Sequence, residues 1–404
     1  MANPRSVAAG PLDSPASIYW AGPVYDRGGY GNVSRNCLLG LARSGFPVKV
    51  FCFGPDHRKD LSPLVVERME SLQNARIGRD ATAVIHATPD LFTKIKLKGV
   101  SRRIGYTIFE TDRIPSQWVK HCNRMDEVWV PSGFNRRTFA ESGVDPARIK
   151  IVPYGIDTDF FRPTGGTFPI PGKKSFCFLY VFLFDWRKGF DLVLEAFFKE
   201  FTSRDDVSLV LKVYNNPSER RDVRGLILRS VRDRVNLERS DLAHLVILDQ
   251  PLAQEELKRL YNTCDLYIST DRANGWGMPC MEAMAMGKAA ATIDWSGSTE
   301  FMKEENSFLI KPTGNLVPVD PNLSAERPQY YAGHHWAEVR TEEVRRVMRL
   351  AYARRDLLEK MAARGREDIL NRFSLEIAAR HILEAVAAGA LPWHKKLYRR
   401  LAWR

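Results

Sequence analysis

The chain of 404 residues reads as two successive α/β halves, each a parallel sheet wound by helices on both faces. Three observations lead there. The N-terminal segment runs strand, glycine turn, helix, strand. The same alternation restarts near residue 176. Between them lies 163–174, PTGGTFPIPGKK, with three Pro and three Gly, a composition suited to an interdomain linker. At about 100–200 residues per domain, this length fits two.

The elements follow in order. Ser17–Trp20 is a strand candidate, and Asp26–Gly31 is a glycine-rich turn. Val33, Cys37, Leu38 and Leu41 then share one helical face, and Gly45 ends that helix. Further strands are expected at Val48–Phe53, Ala83–His86, Arg103–Phe109, Glu127–Pro131 and Lys150–Pro153, with a helix at Phe134–Ser142. In the second half, strands are expected at Phe176–Phe184, Ser208–Tyr214, Leu245–Leu248, Leu266–Ser269 and Ala290–Ile293. Helices are expected at Phe190–Phe201, Arg220–Asn236, Gln254–Cys264 and Pro279–Met286. The expected domains are residues 1–165 and 172–374, with a helix at about 375–404 returning to complete the first.

Composition narrows the function. Hydrophobic residues at 44% and charged residues at 27% describe an ordinary globular protein. The longest apolar run, Phe176–Phe184, is about half of what a membrane span needs. Residues 1–16 have no apolar core, so no secretory signal is expected. Six cysteines without a C-x-x-C pair read as small hydrophobes in a reducing cytoplasm. A net charge of +12 favours a polyanionic partner, such as nucleotide-sugar phosphates, phospholipid or nucleic acid. Nucleic acid is disfavoured, because no basic–aromatic interleaving occurs outside the tail. That tail, Leu391–Arg404, carries five Lys or Arg and no acid, with Trp393, Leu397 and Leu401 on one helical face. The segment Trp393–Arg404 suits an anionic membrane surface, and packing of its stripe on the first domain is the other reading.

The densest chemistry is Asn274-Gly275-Trp276-Gly277-Met278-Pro279-Cys280-Met281-Glu282-Ala283-Met284. It follows a strand, at the carboxyl end where open α/β sheets bind ligands. Gly275 and Gly277 let backbone approach a ligand, and Pro279 suits a first helical turn. The free N–H groups of that turn favour an anion such as a diphosphate. Glu282, one turn in, can accept hydroxyl hydrogen bonds. Arg187 and Lys188 end another apolar strand, where fixed cations can meet a departing phosphate. A tight strand–helix connection with solvated charges is the bland alternative. Gly28 and Gly29 form a weak phosphate-loop signal, and a full G-x-G-x-x-G is absent. His86 ends a strand, as a cleft group or as a satisfied core histidine. Glu110 and Asp112 follow another strand and could face the cleft or the surface. No cluster has metal-ligand spacing, and Asp157-Thr158-Asp159 is the only D-x-D.

This stretch resembles the E-G-F-G-L-P-x-x-E-A-M signature of glycosyltransferase family 4, retaining enzymes with the two-domain GT-B fold. Tyr106–Val119, Asp126–Phe134, Val152–Phe161, Trp186–Gly189 and Trp295–Phe301 resemble further segments of that family, in order. Two departures stand out: Asn274 replaces the signature's first Glu, and Phe182 and Leu183 stand where an Arg is frequent. The resemblance implies transfer of a sugar from a nucleotide diphosphate sugar to a hydroxyl of a glycan, glycolipid or other acceptor, with no cofactor or metal. It implies catalytic roles for Arg187, Lys188, Glu282 and His86. Gly28, Gly29, Asn274, Gly275, Trp276, Gly277 and Met278 would contact the donor, and Glu110 and Asp112 the acceptor. The competing reading is a non-catalytic glycan- or nucleotide-binding protein on the same scaffold.

Overall fold

Short apolar strands alternating with helices suit parallel pairing, each helix carrying the chain back across the sheet. The computed structural model describes residues 17–215 and 222–388 and shows two such sheets. The first has β1 (Ile18–Gly22), β2 (Val48–Cys52), β3 (Ala81–His86), β4 (Val100–Tyr106), β5 (Glu127–Val130) and β6 (Ile149–Ile151), in the order β2-β1-β3-β4-β5-β6. The second has β7 (Phe176–Leu183), β8 (Val207–Tyr214), β9 (His244–Leu248), β10 (Leu266–Ser269), β11 (Ala289–Ile293) and β12 (Phe308–Ile310), in the order β12-β11-β10-β7-β8-β9. In each sheet the winding reverses once, between β1 and β3 and between β7 and β10. Crevices open at such points, beyond the carboxyl strand ends.

Burial explains the strands. Seven of the eight residues of β7 are buried, as a central parallel strand covered on both faces requires. The helix Gly29–Arg43 lies against the helix Leu375–Ala388. Gly40 makes this approach possible, since a Cβ there would sit 2.4 Å from the Leu375 carbonyl oxygen. The chain thus crosses back to the first half at Phe373–Ser374, where Ile156 and Ser374 form a parallel bridge.

Several expectations are corrected. The charged helix expected at Arg220–Asn236 spans only Val223–Arg229 among the described residues. The Ser230 hydroxyl bonds back to the Ile227 carbonyl at 2.6 Å, and turns follow. The strand expected at Arg103–Phe109 is Val100–Tyr106, because pairing to β5 stops at Tyr106. A helix at Pro63–Asn74 was not anticipated; only Met69 in it is buried, too thin a stripe to announce itself. Beyond β12, a hairpin of β13 (Leu316–Pro318) and β14 (His335–Ala337) encloses two short helices. Among the described residues no helix is long and apolar enough to cross a membrane. The tail Leu391–Arg404 lies outside the described residues.

Candidate functional site

The second switch point gathers charge. After β7 the Asp185 carboxylate accepts the Arg187 N–H at 3.0 Å and starts the turn Trp186–Lys188. Gly189 follows at φ +57°, and a Cβ there would lie 2.2 Å from the Thr270 carbonyl oxygen. The Arg272 N–H donates to the Arg187 carbonyl at 2.8 Å, so the loops after β7 and β10 are stitched together. Lys188 Nζ lies 2.6 Å from Asp271, a buried carboxylate that Tyr180 also contacts through its hydroxyl. Arg187 Nη1 donates to the Ala273 carbonyl at 3.1 Å, and its Nε lies 3.4 Å from Glu110. Burial works against the charge on Arg187, but Glu110 and Asp185 hold its pKa above the ordinary value. Arg327 Nη2 donates to Asp185 at 2.9 Å. Three cations therefore meet three carboxylates here.

The loop before the signature helix is shaped by close approaches. A Cβ on Gly275 would lie 2.4 Å from Ile108 of the first half. The Asn274 N–H donates to Ser296 Oγ at 2.9 Å, and its carbonyl accepts the Gly297 N–H at 3.0 Å. Its Nδ2 donates to Ser298 Oγ at 3.4 Å. Trp276 packs on Tyr154, Phe301 and Phe373. Gly277, at φ +88°, caps the helix Met278–Ala285, with Pro279 in its first turn. Glu282 is buried on that helix and accepts the Tyr261 hydroxyl at 2.7 Å. Burial raises its pKa to about 7, against the Tyr261 bond that lowers it. Asn274 Oδ1 and Trp276 Nε1 are buried without a hydrogen-bond partner, and so is Trp186 Nε1 on the turn after β7; Arg187 Nε makes no hydrogen bond but faces the Glu110 carboxylate. Buried polar atoms are nearly always satisfied, so unpartnered atoms such as Asn274 Oδ1 and Trp276 Nε1 make this loop a candidate site.

The first switch point is filled differently. His86 is 1% exposed. Its Nδ1 lies 2.7 Å from Ser34 Oγ and its Nε2 3.3 Å from the Tyr154 hydroxyl. Trp20, Tyr30, Tyr106 and Tyr154 ring it. Burial lowers its pKa to about 3, so it is neutral. An aromatic cage encloses His86, and one of its rings, Tyr154, also packs on Trp276 of the signature loop. Gly28 and Gly29 are exposed, and a Cβ on Gly29 meets nothing within 4 Å. The glycine this turn requires is Gly31, whose Cβ would lie 2.1 Å from the Asp26 carbonyl oxygen.

Glu110 and Asp112 bind the other half of the protein. Glu110 accepts the Tyr331 hydroxyl at 2.5 Å and faces Arg187. Asp112 accepts the His335 N–H at 2.8 Å, and Thr111 Oγ1 lies 2.8 Å from His334 Nδ1. The hairpin inserted after β12 therefore straps the first half to the loop after β7. Sequence reasoning missed Asp271, Tyr180, Tyr261 and this strap. An acid two residues past a strand end was a visible signal for Asp271; nothing marked the tyrosines. Asp157 and Asp159 of the D-x-D both pair with Arg43, at 3.1 and 3.2 Å. Among the described residues no group of three or more His, Cys, Asp or Glu is placed to hold a metal ion.

Comparison with known proteins agrees with this layout. Residues 175–322 match the sequence model of a family described as Glycosyl transferases group 1. The D-inositol 3-phosphate glycosyltransferase of Acidothermus cellulolyticus is 24% identical over 217 residues, covering 48% of this chain. The match spans 46% of that protein's length, so about half of the relative is represented. The crystal structure of Anabaena Alr3699/HepE in complex with UDP and glucose superposes with a TM-score of 0.61 at 16% identity, covering 92% of this chain and 100% of that one. A glycosyltransferase from Rickettsia africae ESF-5 gives 0.60 at 16% identity, covering 92% and 97%. The two parallel-sheet domains are thus of the GT-B type. The half that carries Arg187, Lys188 and Glu282 is the half that the group 1 glycosyl transferase family matches.

Proposed function

We propose that the protein is a retaining glycosyltransferase, of the kind gathered in glycosyltransferase family 4. It would move a sugar from a nucleotide diphosphate sugar to an acceptor hydroxyl in glycan or glycolipid synthesis. The observation that carries this is the unpartnered Asn274 Oδ1 and Trp276 Nε1, in the loop joined to the buried cation Arg187 and leading into a helix N-terminus at a strand switch point. The solved neighbours with UDP or UDP-glucose support a nucleotide sugar as the partner.

In this reading the diphosphate lies against Arg187, Lys188 and the Gly277–Met278 backbone. These fixed charges gain most when the sugar bond breaks and negative charge grows on the leaving oxygen. No cofactor or metal takes part. Glu282, steadied by Tyr261, accepts the ribose hydroxyls, and Asn274 reads the sugar. The acceptor attacks from the leaving-group face, where a diphosphate oxygen helps take its proton. Glu110 now sits on Arg187, so the donor must displace it. His86 shapes the wall of the first half from within its cage. The halves are 1–165 and 172–374, and the chain from about 375 completes the first. The tail Trp393–Arg404 would hold the cytoplasmic enzyme at an anionic membrane, a reading that rests on its composition.

A second reading is a binding protein on the same scaffold. It is favoured by the pairing of Lys188 with Asp271, which offsets the cation a diphosphate would need. Incubating the purified protein with a panel of nucleotide sugars and simple acceptors separates the two. Thermal stabilisation with transfer or slow hydrolysis is expected. Stabilisation without any turnover would favour the binding protein, and no stabilisation by any nucleotide sugar would sink the transferase and leave only a glycan-binding protein.

A further inference from the structure

A hollow of about 340 Å³ opens at the crossing where the chain passes from the second half back to the first. Arg372 stands just before the crossing, at the end of the helix Arg355–Arg372, and Arg380 and His381 stand just after it, on Leu375–Ala388. Phe373 and Ile377 give it apolar walls. Glu300 is the one acid lining it, and that side chain already accepts the Gly133 N–H at 2.8 Å, across the two halves.

The cations here are unlike those at the switch point. Among the described residues, neither Arg372 nor Arg380 makes an ion pair or a side-chain hydrogen bond; Arg372 only rests its guanidinium 5.3 Å over the Phe373 ring. The neighbouring arginines Arg364 and Arg366 do find partners, Asp368 and the Ala285 carbonyl. His381 Nδ1 is buried without a hydrogen-bond partner. Two unpaired arginines and the His381 imidazole line a hollow at the small end of ligand-site size. We propose that this hollow binds a phosphate group, either the free ion or the phosphate of a small phosphomonoester.

The fit is chemical. Two guanidinium groups can take different oxygens of one phosphate. The His381 imidazole, which also lines the hollow, offers a third donor. Burial keeps the His381 pKa below its ordinary value; Glu384 pulls the other way and Arg380 adds to the lowering. Phe373 and Ile377 would touch the organic part of a monoester. The bound group would tie together the last helix of one half and the first return helix of the other. The proposal does not depend on glycosyl transfer.

Calorimetric titration of the full chain at constant ionic strength tests it, with inorganic phosphate, glycerol 3-phosphate and glycerol as probes. Saturable binding of one phosphate-bearing probe per chain is expected, with no binding of glycerol. Arg372→Gln with Arg380→Gln should weaken it at least tenfold. Both side chains are exposed, so melting should be unchanged. His381→Phe alone should weaken it three- to tenfold, and it decides the matter if the double variant does not fold. Lys188→Ala should leave this binding in place. A monoester binding at least fivefold more tightly than phosphate identifies an organic ligand; equal affinities identify the free ion. Absence of saturable binding, or loss in Lys188→Ala with retention in the arginine variant, would overturn the proposal.

Discussion

The two switch points share a topology and differ in every other respect. Between β1 and β3, the residue at the strand end is a neutral histidine with both ring nitrogens occupied and four aromatic side chains around it. Between β7 and β10, three cations and three carboxylates are paired with one another, beside the unpartnered Asn274 Oδ1 and Trp276 Nε1. A crevice supplied by winding alone is therefore no site. The first is filled by its own protein groups, and the second keeps buried polar atoms on Asn274 and Trp276 without a partner.

The sharpest way to break this contrast is Lys188→Ala. On the proposed mechanism turnover should fall roughly 10²- to 10³-fold, the scale for one preorganised charge. The structure adds a second effect: Asp271 is left buried and unpaired, at a cost of about 3–5 kcal/mol in stability. Adding Asp271→Asn should restore most of the stability and none of the turnover. If the double variant recovers both, Lys188 serves only to satisfy Asp271.

Glu282 comes next. Its folded pKa of about 7 lies above the 4.5 of an ordinary glutamate, so the folded chain holds more protons than the unfolded one between those values. Stability from this group is full below about pH 4.5 and is lost as pH rises through 7. Glu282→Gln keeps an acceptor for Tyr261 and removes the ionisation. It should be up to about 3 kcal/mol more stable than the parent at pH 8 and nearly equal at pH 4.5. Chemical denaturation at both pH values reads this. The ionised form is the better hydroxyl acceptor, so nucleoside diphosphate affinity in the parent should rise from pH 6 to pH 8. Glu282→Ala should weaken nucleotide diphosphate and nucleotide sugar alike, whereas Asn274→Ala should spare the former.

A smaller effect sharpens the view of the charged crevice as occupied by a stand-in. Glu110→Gln removes the carboxylate opposite Arg187 and should tighten nucleoside diphosphate binding by about three- to tenfold, since the pair is partly exposed. Unchanged affinity would mean that the donor does not contact Arg187. The smallest effect on activity belongs to the other crevice. His86→Gln should destabilise by about 1–2 kcal/mol through its lost bonds and leave turnover within about threefold. A hundredfold loss of turnover with an unchanged melting temperature would bring His86 into the reacting group and erase the contrast.

Much of the fold was legible because its signals are local. The apolar run of β7 and the glycine–proline spacing around Gly277 say what they are within ten residues of sequence. The charge pairs were not legible, because Lys188 and Asp271 stand 83 positions apart and meet only through the adjacency of β7 and β10. For the same reason the sequence displays Arg187 and Lys188 as free cations, and the structure shows both engaged. The strap around β13 and β14 is short and polar, and carries no periodicity that marks it. His86 shows the limit from the other side: a strand-end position suggests a cleft, but the rings around it come from β1, β4, β6's following turn and the helix after Gly28.

At Gly275 the two halves meet without side chains on one side of the contact. A Cβ there would strike Ile108, and one on Gly297 would lie 1.7 Å from the Gly275 carbonyl oxygen. Bare backbone has no rotamers to freeze when the surfaces seat and none to release when they part. The contact thus behaves as a mechanical stop: it fixes how near the halves come while doing little to keep them there. Grip comes from side-chain contacts elsewhere, among them Glu110 and Asp112 on the strap and the Glu300–Gly133 bond, so the stop and the holding contacts are separate parts.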